Sequence, residues 1–405
     1  MILAPNHQSA LMDAMILVCK TAFQVVFLAR ADIFKGKRLI RFLTYLNIMP
    51  IYRIRDGIGN VRKNDEVFEK ISGVLHNRFN PLCIFPEGNH GDKRRLRPLV
   101  KGLFRIAFQA QEKFGITPAV KIVPIGYDYG HYQHFRSTLF VNIGEPIEVS
   151  DFMEAYHENP VLALSQIRDR FAVALSRQMI DIQTQEYYDL YMYLREVFNQ
   201  EMCRKLGIPG KTLAEKFRAD KVMIESLNKE LDNKPHNINQ LNTLMQEYQT
   251  GLKTERLRDW VVGRGNYAAI VLIWSLLIKA ALFPVFAFGL VNNFLPYWLT
   301  ASRIKNIKDT QFQSSFKYVT GMVFFPVWYF IIFGVLIATP LPWWLVIAYF
   351  VLLPVTGLFA FQYFIRIKKL LAMWRFWIKR HTQEIQKLLQ LRKKIIDHTL
   401  DIINR

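Results

Sequence analysis

Short apolar runs rich in β-branched residues recur through the first third of the chain, at Thr21–Leu28, Leu82–Phe85, Val120–Ile125 and Leu139–Ile143. Glycine, proline or polar residues bound each run, the pattern of buried strands. Between them, Leu11–Lys20, Lys63–His76 and Leu103–Phe114 carry apolar residues at helical spacing. Alternating periods of this kind predict an α/β domain over residues 1–158, a central sheet flanked by helices. Val-Pro-Ile-Gly at 123–126 reads as a core strand with a constrained exit.

Residues 159–265 turn polar and helical, a connecting region. The Gly-Lys-Thr at 210–212 invites a phosphate-loop reading, but only two residues separate Gly207 from Gly210 where that loop needs four. The alternative is a helix start, with Thr212 as N-cap and Glu215 completing a capping box.

A membrane domain is expected over residues 266–363. Val319–Ala338 is an uncharged run of 20 residues and Trp343–Phe361 one of 19, each near the length that spans a bilayer. Thr339-Pro-Leu-Pro342 between them allows only a tight turn, so the pair reads as a transmembrane hairpin. Lys317 flanks one end and Arg366, Lys368 and Lys369 the other, which puts both ends on the cytoplasmic side. The stretch 267–291 carries Lys279 and Pro284 inside it, and reads as a broken, re-entrant or interfacial segment. Residues 364–405 are expected to form a basic amphipathic helix, with Ile385, Leu388, Leu389, Ile395, Ile396, Thr399 and Ile403 on its apolar side. Membrane surface, a partner helix and the α/β domain all suit such a face.

Composition sharpens this picture. The 405 residues hold 53 Lys+Arg against 33 Asp+Glu, a formal charge of +20, and 51% are hydrophobic. Basic and apolar together point to an anionic membrane surface and away from nucleic acid. Three cysteines, Cys19, Cys83 and Cys203, make no disulfide framework and no metal-ligand spacing. The first residues show no charged and apolar leader, so the α/β domain is expected in the cytoplasm. His131 and His134 have no third ligand nearby, and neither a metal nor a cofactor is expected.

Chemistry concentrates in three strings. Asn6-His-Gln-Ser-Ala-Leu-Met-Asp13 holds a histidine and an aspartate that suit a base and its orienter, although a loop residue and a helix cap are the commoner origin of such a pair. Phe85-Pro-Glu-Gly-Asn-His-Gly-Asp92 follows an apolar strand, where α/β folds place ligands; Glu87 suits a polyol hydroxyl and Gly88 a close backbone approach. Pro50-Ile-Tyr-Arg-Ile-Arg55 puts an arginine at a strand edge, suited to a phosphate or simply to solvent. Lys93, Arg94, Arg95, Arg97 and Lys101 add five cations in nine residues beside the Pro-Glu-Gly turn.

The order His-Asp, arginine strand, FPEG, VPIG over residues 1–150 resembles the glycerolipid acyltransferases, which include glycerol-3-phosphate and 1-acylglycerol-3-phosphate acyltransferases. That resemblance implies direct transfer of a fatty acyl group from acyl-CoA or acyl-ACP to a lipid hydroxyl in phospholipid biosynthesis. By resemblance His7 is the base, Asp13 its orienter, and Arg53, Glu87 and Gly88 bind the acceptor; Asn6, Ser9 and Lys101 are also expected at the substrate. The expected acceptor is 1-acyl-sn-glycerol-3-phosphate, with glycerol-3-phosphate or another lyso-lipid as alternatives. A catalytically decayed, membrane-anchored lipid-binding protein is the competing class. The expected place is a bacterial cytoplasmic membrane, with the catalytic domain facing the cytoplasm. The chain departs from the family in three ways. Five residues instead of four separate His7 from Asp13. Asn89-His90-Gly91 replaces the usual Thr-Arg-Ser after FPEG. Five residues precede Asn6 where the family has a helix or more, so a start further upstream or a lost edge element is expected.

Overall fold

A computed structural model describes residues 1–52, 69–71, 73–75, 80–115, 119–307 and 309–404. Arg53, Arg55 and most of the Lys63–His76 helix lie outside these residues. The chain divides into two compact units, Met1–Gln183 with Asp309–Ser315, and Thr184–Lys308 with Phe316–Arg405.

The first unit is built on a seven-stranded sheet in the order β3-β2-β4-β1-β5-β6, with β7 pairing β5. The strands are β1 (Ile2–Pro5), β2 (Val26–Arg30), β3 (Ile48–Ile51), β4 (Leu82–Cys83), β5 (Lys121–Tyr129), β6 (Leu139–Ile143) and β7 (Ile147–Glu148). β1 to β5 run parallel; β6 and β7 are antiparallel to β5. The helices are α1 (Ala10–Lys20), α2 (Lys37–Tyr45), α3 (Gly102–Phe114), α4 (Met153–Glu158) and α5 (Pro160–Gln178).

Parallel strands are buried on both faces, which is why their sequences read as continuous apolar runs. Ile2, Ala4, Val26, Leu28, Leu82 and Ile84 pack with Phe104 and Phe108 of α3 and Phe171 of α5. The alternate positions Leu3, Phe27, Cys83, Val123 and Ile125 pack with Leu17 of α1 on the other face. The strand β1 was missing from the sequence reading, since four residues are too few for a periodicity. It lies in the sheet interior, between β4 and β5.

Two boundaries move. The first unit runs to Gln183 and not to 158, because α5 buries Ala163, Ile167, Phe171 and Leu175. Asn159 caps α5 by accepting from the amides of Val161 and Leu162, with Pro160 at its first position. Gly126 marks no strand exit either, since β5 continues to Tyr129. The end of α5 passes over it: a Cβ at Gly126 would lie 1.8 Å from the Gln178 carbonyl oxygen. Gly126→Ala is therefore expected to destabilise the unit by about 1–3 kcal/mol or more, read as a lower urea midpoint with unchanged slope.

The second unit is helical: α6 (Tyr188–Val197), α7 (Asn199–Lys205), α8 (Leu213–Asn233), α9 (Pro235–Thr254), α10 (Asp259–Arg264), α11 (Ala269–Ala281), α12 (Phe283–Ile304), α13 (Gln313–Ile337, from Phe316 on), α14 (Trp343–Lys379) and α15 (Gln383–Asn404). The expected capping box opens α8, Thr212 accepting from the Glu215 amide and Glu215 from the Thr212 amide. Among the described residues, two helices are long and apolar enough to cross a membrane, Thr310–Ile337 and Trp343–Lys379. The segment expected to be broken within 267–291 is two helices, α11 and α12, bent by 52°, and the second runs on to Ile304. Asn292 and Asn293 of α12 tie it to the hairpin. Tyr349 donates to the Asn292 side chain at 2.6 Å and Tyr329 to that of Asn293 at 2.5 Å, so buried polar groups there are satisfied between helices.

The C-terminal expectation changes most. Residues 364–379 continue α14, and the amphipathic helix is α15 alone. Its buried stripe is Ile385, Leu388, Leu391, Ile395, Thr399 and Ile402, with Leu391 and Ile402 in place of Leu389 and Ile403. That stripe packs on α8, α9 and α10, and Arg392 donates to Asp259 at 2.8 Å. The stripe is occupied within the helical unit.

Candidate active site

In a doubly wound sheet, ligands bind beyond the carboxyl ends of strands whose connections leave in opposite directions. Here those strands are β1 and β4. The connection from β1 through α1 leads to β2, past β4; the connection from β4 through α3 leads to β5, past β1. His7 follows β1 and Glu87 follows β4, so the two strings converge on that crevice.

The backbone of His7 is pinned before its ring is considered. Its amide donates to Glu87 Oε2 at 3.0 Å. Its carbonyl accepts from the Gly91 amide at 3.1 Å and from Arg97 Nη2 at 3.2 Å. The ring stacks on Phe85, 4.0 Å between centroids, and its Nδ1 lies 2.8 Å from Asp13 Oδ2. A carboxylate only accepts, so Nδ1 carries the hydrogen and Nε2 presents a lone pair. Among the described residues Nε2 has no hydrogen-bond partner.

Asp13 is fully buried and its carboxylate is saturated. Oδ2 also accepts from the amides of Gln8 at 2.7 Å and Ser9 at 2.8 Å, and Oδ1 accepts from the Tyr129 phenol at 2.5 Å. Burial, with Asp13 alongside, pushes the Tyr129 phenol far above the usual tyrosine range and keeps it a donor. Asp13 lies in the first turn of α1, whose N-cap position is Ser9; its carboxylate holds the two amides that precede the helix and orients the histidine. The five-residue spacing closes through Ala10, whose φ of +24° is rare for a side-chain-bearing residue.

The other expected residues separate. Asn6 is buried and pairs with the Tyr127 backbone, accepting from its amide at 2.6 Å and donating to its carbonyl at 3.3 Å; it extends the sheet and does not face a ligand. Glu87 is also turned inward, accepting from the His7 amide, from the Arg97 amide and from Arg97 Nη2 at 2.7 Å. It holds the loop that holds His7. Gly88 has φ +65°, and a Cβ there would meet Val100 Cγ1 at 2.9 Å; the turn itself requires glycine. Lys101 is exposed at the start of α3. Arg53 lies outside the described residues. Of the basic run, Arg94 bonds Asp128 at 2.7 Å and Arg97 bonds Glu87, so these two serve the scaffold.

Ser9 is buried beneath the segment Asp309–Ser315, its Oγ 2.7 Å from Ser314 Oγ. That segment clusters with the first unit. Ser315 Oγ accepts from the Leu11 amide at 3.0 Å. Asp309 Oδ2 lies 3.2 Å from His90 Nε2, and the Phe312 ring meets His90 edge-on at 4.6 Å. His90 in turn meets His7 edge-on at 5.5 Å. Burial lowers the His90 pKa, opposed by its hydrogen bond to Asp309. Tyr129, His90 and residues 309–315 had no assigned role from the sequence, and Arg97 stood only as one cation of the basic run. His90 stood in a string already singled out; nothing in the spacing of the chain connects it to position 309.

Residues 1–128 match the acyltransferase family model. Glycerol-3-phosphate O-acyltransferase 1 of Saccharomyces cerevisiae is 31% identical over 146 residues, 35% of this chain and 18% of that protein. Glycerol-3-phosphate O-acyltransferase 2 of the same yeast is 26% identical over 292 residues, 66% of this chain and 37% of that protein. An uncharacterized acyltransferase of Schizosaccharomyces pombe is 24% identical over 236 residues, 55% of this chain and 32% of that protein. The chain therefore spans between about a fifth and two fifths of the length of these yeast relatives.

Proposed function

Because residues 1–128 form an acyltransferase-family domain, we propose that the chain is a membrane-bound O-acyltransferase that moves a fatty acyl group from acyl-CoA or acyl-ACP to the hydroxyl of a glycerol phosphate acceptor. The observation that carries this reading is the His7–Asp13 pair, 2.8 Å apart at the switch point of the sheet, with Nε2 unpartnered among the described residues. The thioester is already activated, so the remaining difficulty is a hydroxyl of high pKa. His7 Nε2 takes the hydroxyl proton as the oxygen attacks the thioester carbonyl. Asp13 stabilises the imidazolium. Collapse of the tetrahedral intermediate breaks the carbon–sulfur bond, and the imidazolium returns its proton to the departing thiolate. No acyl-enzyme forms.

For the acceptor, the names of the two Saccharomyces relatives favour glycerol-3-phosphate over the 1-acyl form expected from the motifs. Its phosphate would be bound by Arg53, a guanidinium suited to bidentate contact. Arg53→Ala is expected to raise the acceptor KM by roughly 10–100-fold, the order of a charge-assisted contact, with the donor KM unchanged; the reverse would reassign Arg53. The positive flanks of the hairpin support a cytoplasmic catalytic domain.

The deciding experiment supplies purified enzyme with labelled acyl-CoA or acyl-ACP and an acceptor panel of glycerol-3-phosphate, 1-acylglycerol-3-phosphate and other lyso-lipids. Acylation of glycerol-3-phosphate is expected. Acylation of the 1-acyl form alone would restore the motif-based acceptor. Binding of lipid without transfer to any acceptor would overturn the enzyme reading in favour of a lipid-binding protein.

A further inference from the structure

The segment Asp309–Ser315 belongs to the α/β unit, although some 120 residues of helical chain separate it from Gln183 in sequence. Its polar contacts there include Asp309 with His90, Thr310 with Tyr132 at 3.4 Å, Ser314 with Ser9 and Ser315 with the Leu11 amide. Two of these flank the His7–Asp13 loop directly, for Ser9 and Leu11 lie between that histidine and aspartate. The other device is aromatic. Phe85 covers one face of the His7 ring, and the His90 ring stands edge-on to it, with an interplanar angle of 88°. His90 itself is held by the Asp309 carboxylate and by the ring of Phe312, which meets it at 87°.

From this geometry we infer that Asp309 and His90 are positioning residues for acyl transfer: residues 309–315 complete the catalytic unit by fixing His90, and His90 fixes the ring of the base His7. The inference rests on the proposed function. The physical reason is that, among the described residues, the His7 side chain has one hydrogen bond, to Asp13, which leaves the ring free to rock about that bond unless neighbours fill the space beside it. Phe85 restrains rocking by stacking on the ring, and His90 adds a second ring at right angles to it, 5.5 Å between centroids. A base must sit within hydrogen-bond reach of the proton it takes, and a misplacement of about 1 Å costs on the order of 10²-fold in rate. The carboxylate at 309 acts by hydrogen bonding, since it accepts from His90 Nε2. An asparagine there keeps an acceptor in the same place; an alanine does not.

The test is a double-mutant cycle on the full chain in detergent or vesicles. Asp309→Ala and His90→Ala should each lower kcat on the order of tenfold with the KM of donor and acceptor little changed. The double variant should be no slower than the slower single one, because the two residues act as one unit. Asp309→Asn should retain most of the wild-type kcat. Additive losses, or Asp309→Asn as impaired as Asp309→Ala, would overturn the coupling. A second measurement does not depend on turnover: the rate at which diethyl pyrocarbonate modifies His7, read by mass spectrometry. It should rise severalfold in Asp309→Ala as the ring gains freedom; an unchanged rate overturns the inference even with a retained fold. Absence of transfer by the wild-type chain would defeat the proposed function instead, and the His7 modification rates would still decide this one.

Discussion

His7→Ala is expected to lower kcat for acyl transfer by about 10²–10⁴-fold, the contribution of a positioned general base, while the protein stays folded. The structure explains why the two effects separate. What holds the loop is the backbone of His7, through Glu87, Gly91 and Arg97, and an alanine keeps all three contacts. The imidazole adds a single hydrogen bond to Asp13, which retains the Gln8 and Ser9 amides and the Tyr129 phenol when the ring is gone. Thermal melting within a few degrees of wild type, with transfer close to background, is the expected pair of results. A purified variant keeping more than about a tenth of the wild-type kcat would sink the assignment of His7 as the base.

Asp13 should behave differently according to what replaces it. Asp13→Ala strips the acceptor from two amides and a phenol in a fully buried place. Each buried donor left unsatisfied costs about 1–3 kcal/mol, so this variant should lose several kcal/mol of stability and its activity loss will carry no mechanistic message. Asp13→Asn is the informative change. Its carbonyl oxygen can take the place of Oδ2 and serve the same three donors, with the amide nitrogen turned to the Tyr129 oxygen, which can rotate its hydrogen to accept. What disappears is the negative charge that stabilises the imidazolium as it forms. A loss in kcat of at least about 10²-fold, with a urea midpoint close to wild type, is expected. Wild-type kcat in Asp13→Asn would mean that orientation alone is required of this residue.

How much of this was legible beforehand differs between the two halves of the site. Asn6 to Asp13 and Phe85 to Asp92 were readable as strings because each is local: a strand ends, the chain turns, and the chemical groups follow within a few residues. Even so, the roles within the strings were partly misread. Glu87 and Asn6 carry polar groups that look available in sequence, yet Asn6 bonds the Tyr127 backbone and Glu87 bonds the backbone amides of His7 and Arg97 and the Arg97 guanidinium. Arg94 and Arg97 looked like a basic surface and became internal partners of Asp128 and Glu87. Polarity in a sequence does not say whether a group will face a ligand or satisfy a buried donor, because that depends on which loop lies opposite.

By itself the sequence determined the alternation of strand and helix in the first unit, the capping box at Thr212 and the two long apolar helices, while the roles of His7 and Asp13 came from the family resemblance. The first three are local properties, set by periodicity or capping chemistry, and local interactions need no knowledge of distant residues. Only the tertiary structure decided that β1 lies in the sheet interior, that Gly126 is there for the carbonyl of Gln178, that the basic C-terminal helix packs on α8 to α10, and that Asp309 stands behind His90. These depend on which surfaces bury one another. Burial is non-directional and blind to sequence separation, so partners 52 and 219 positions apart in this chain leave no mark on the spacing of either.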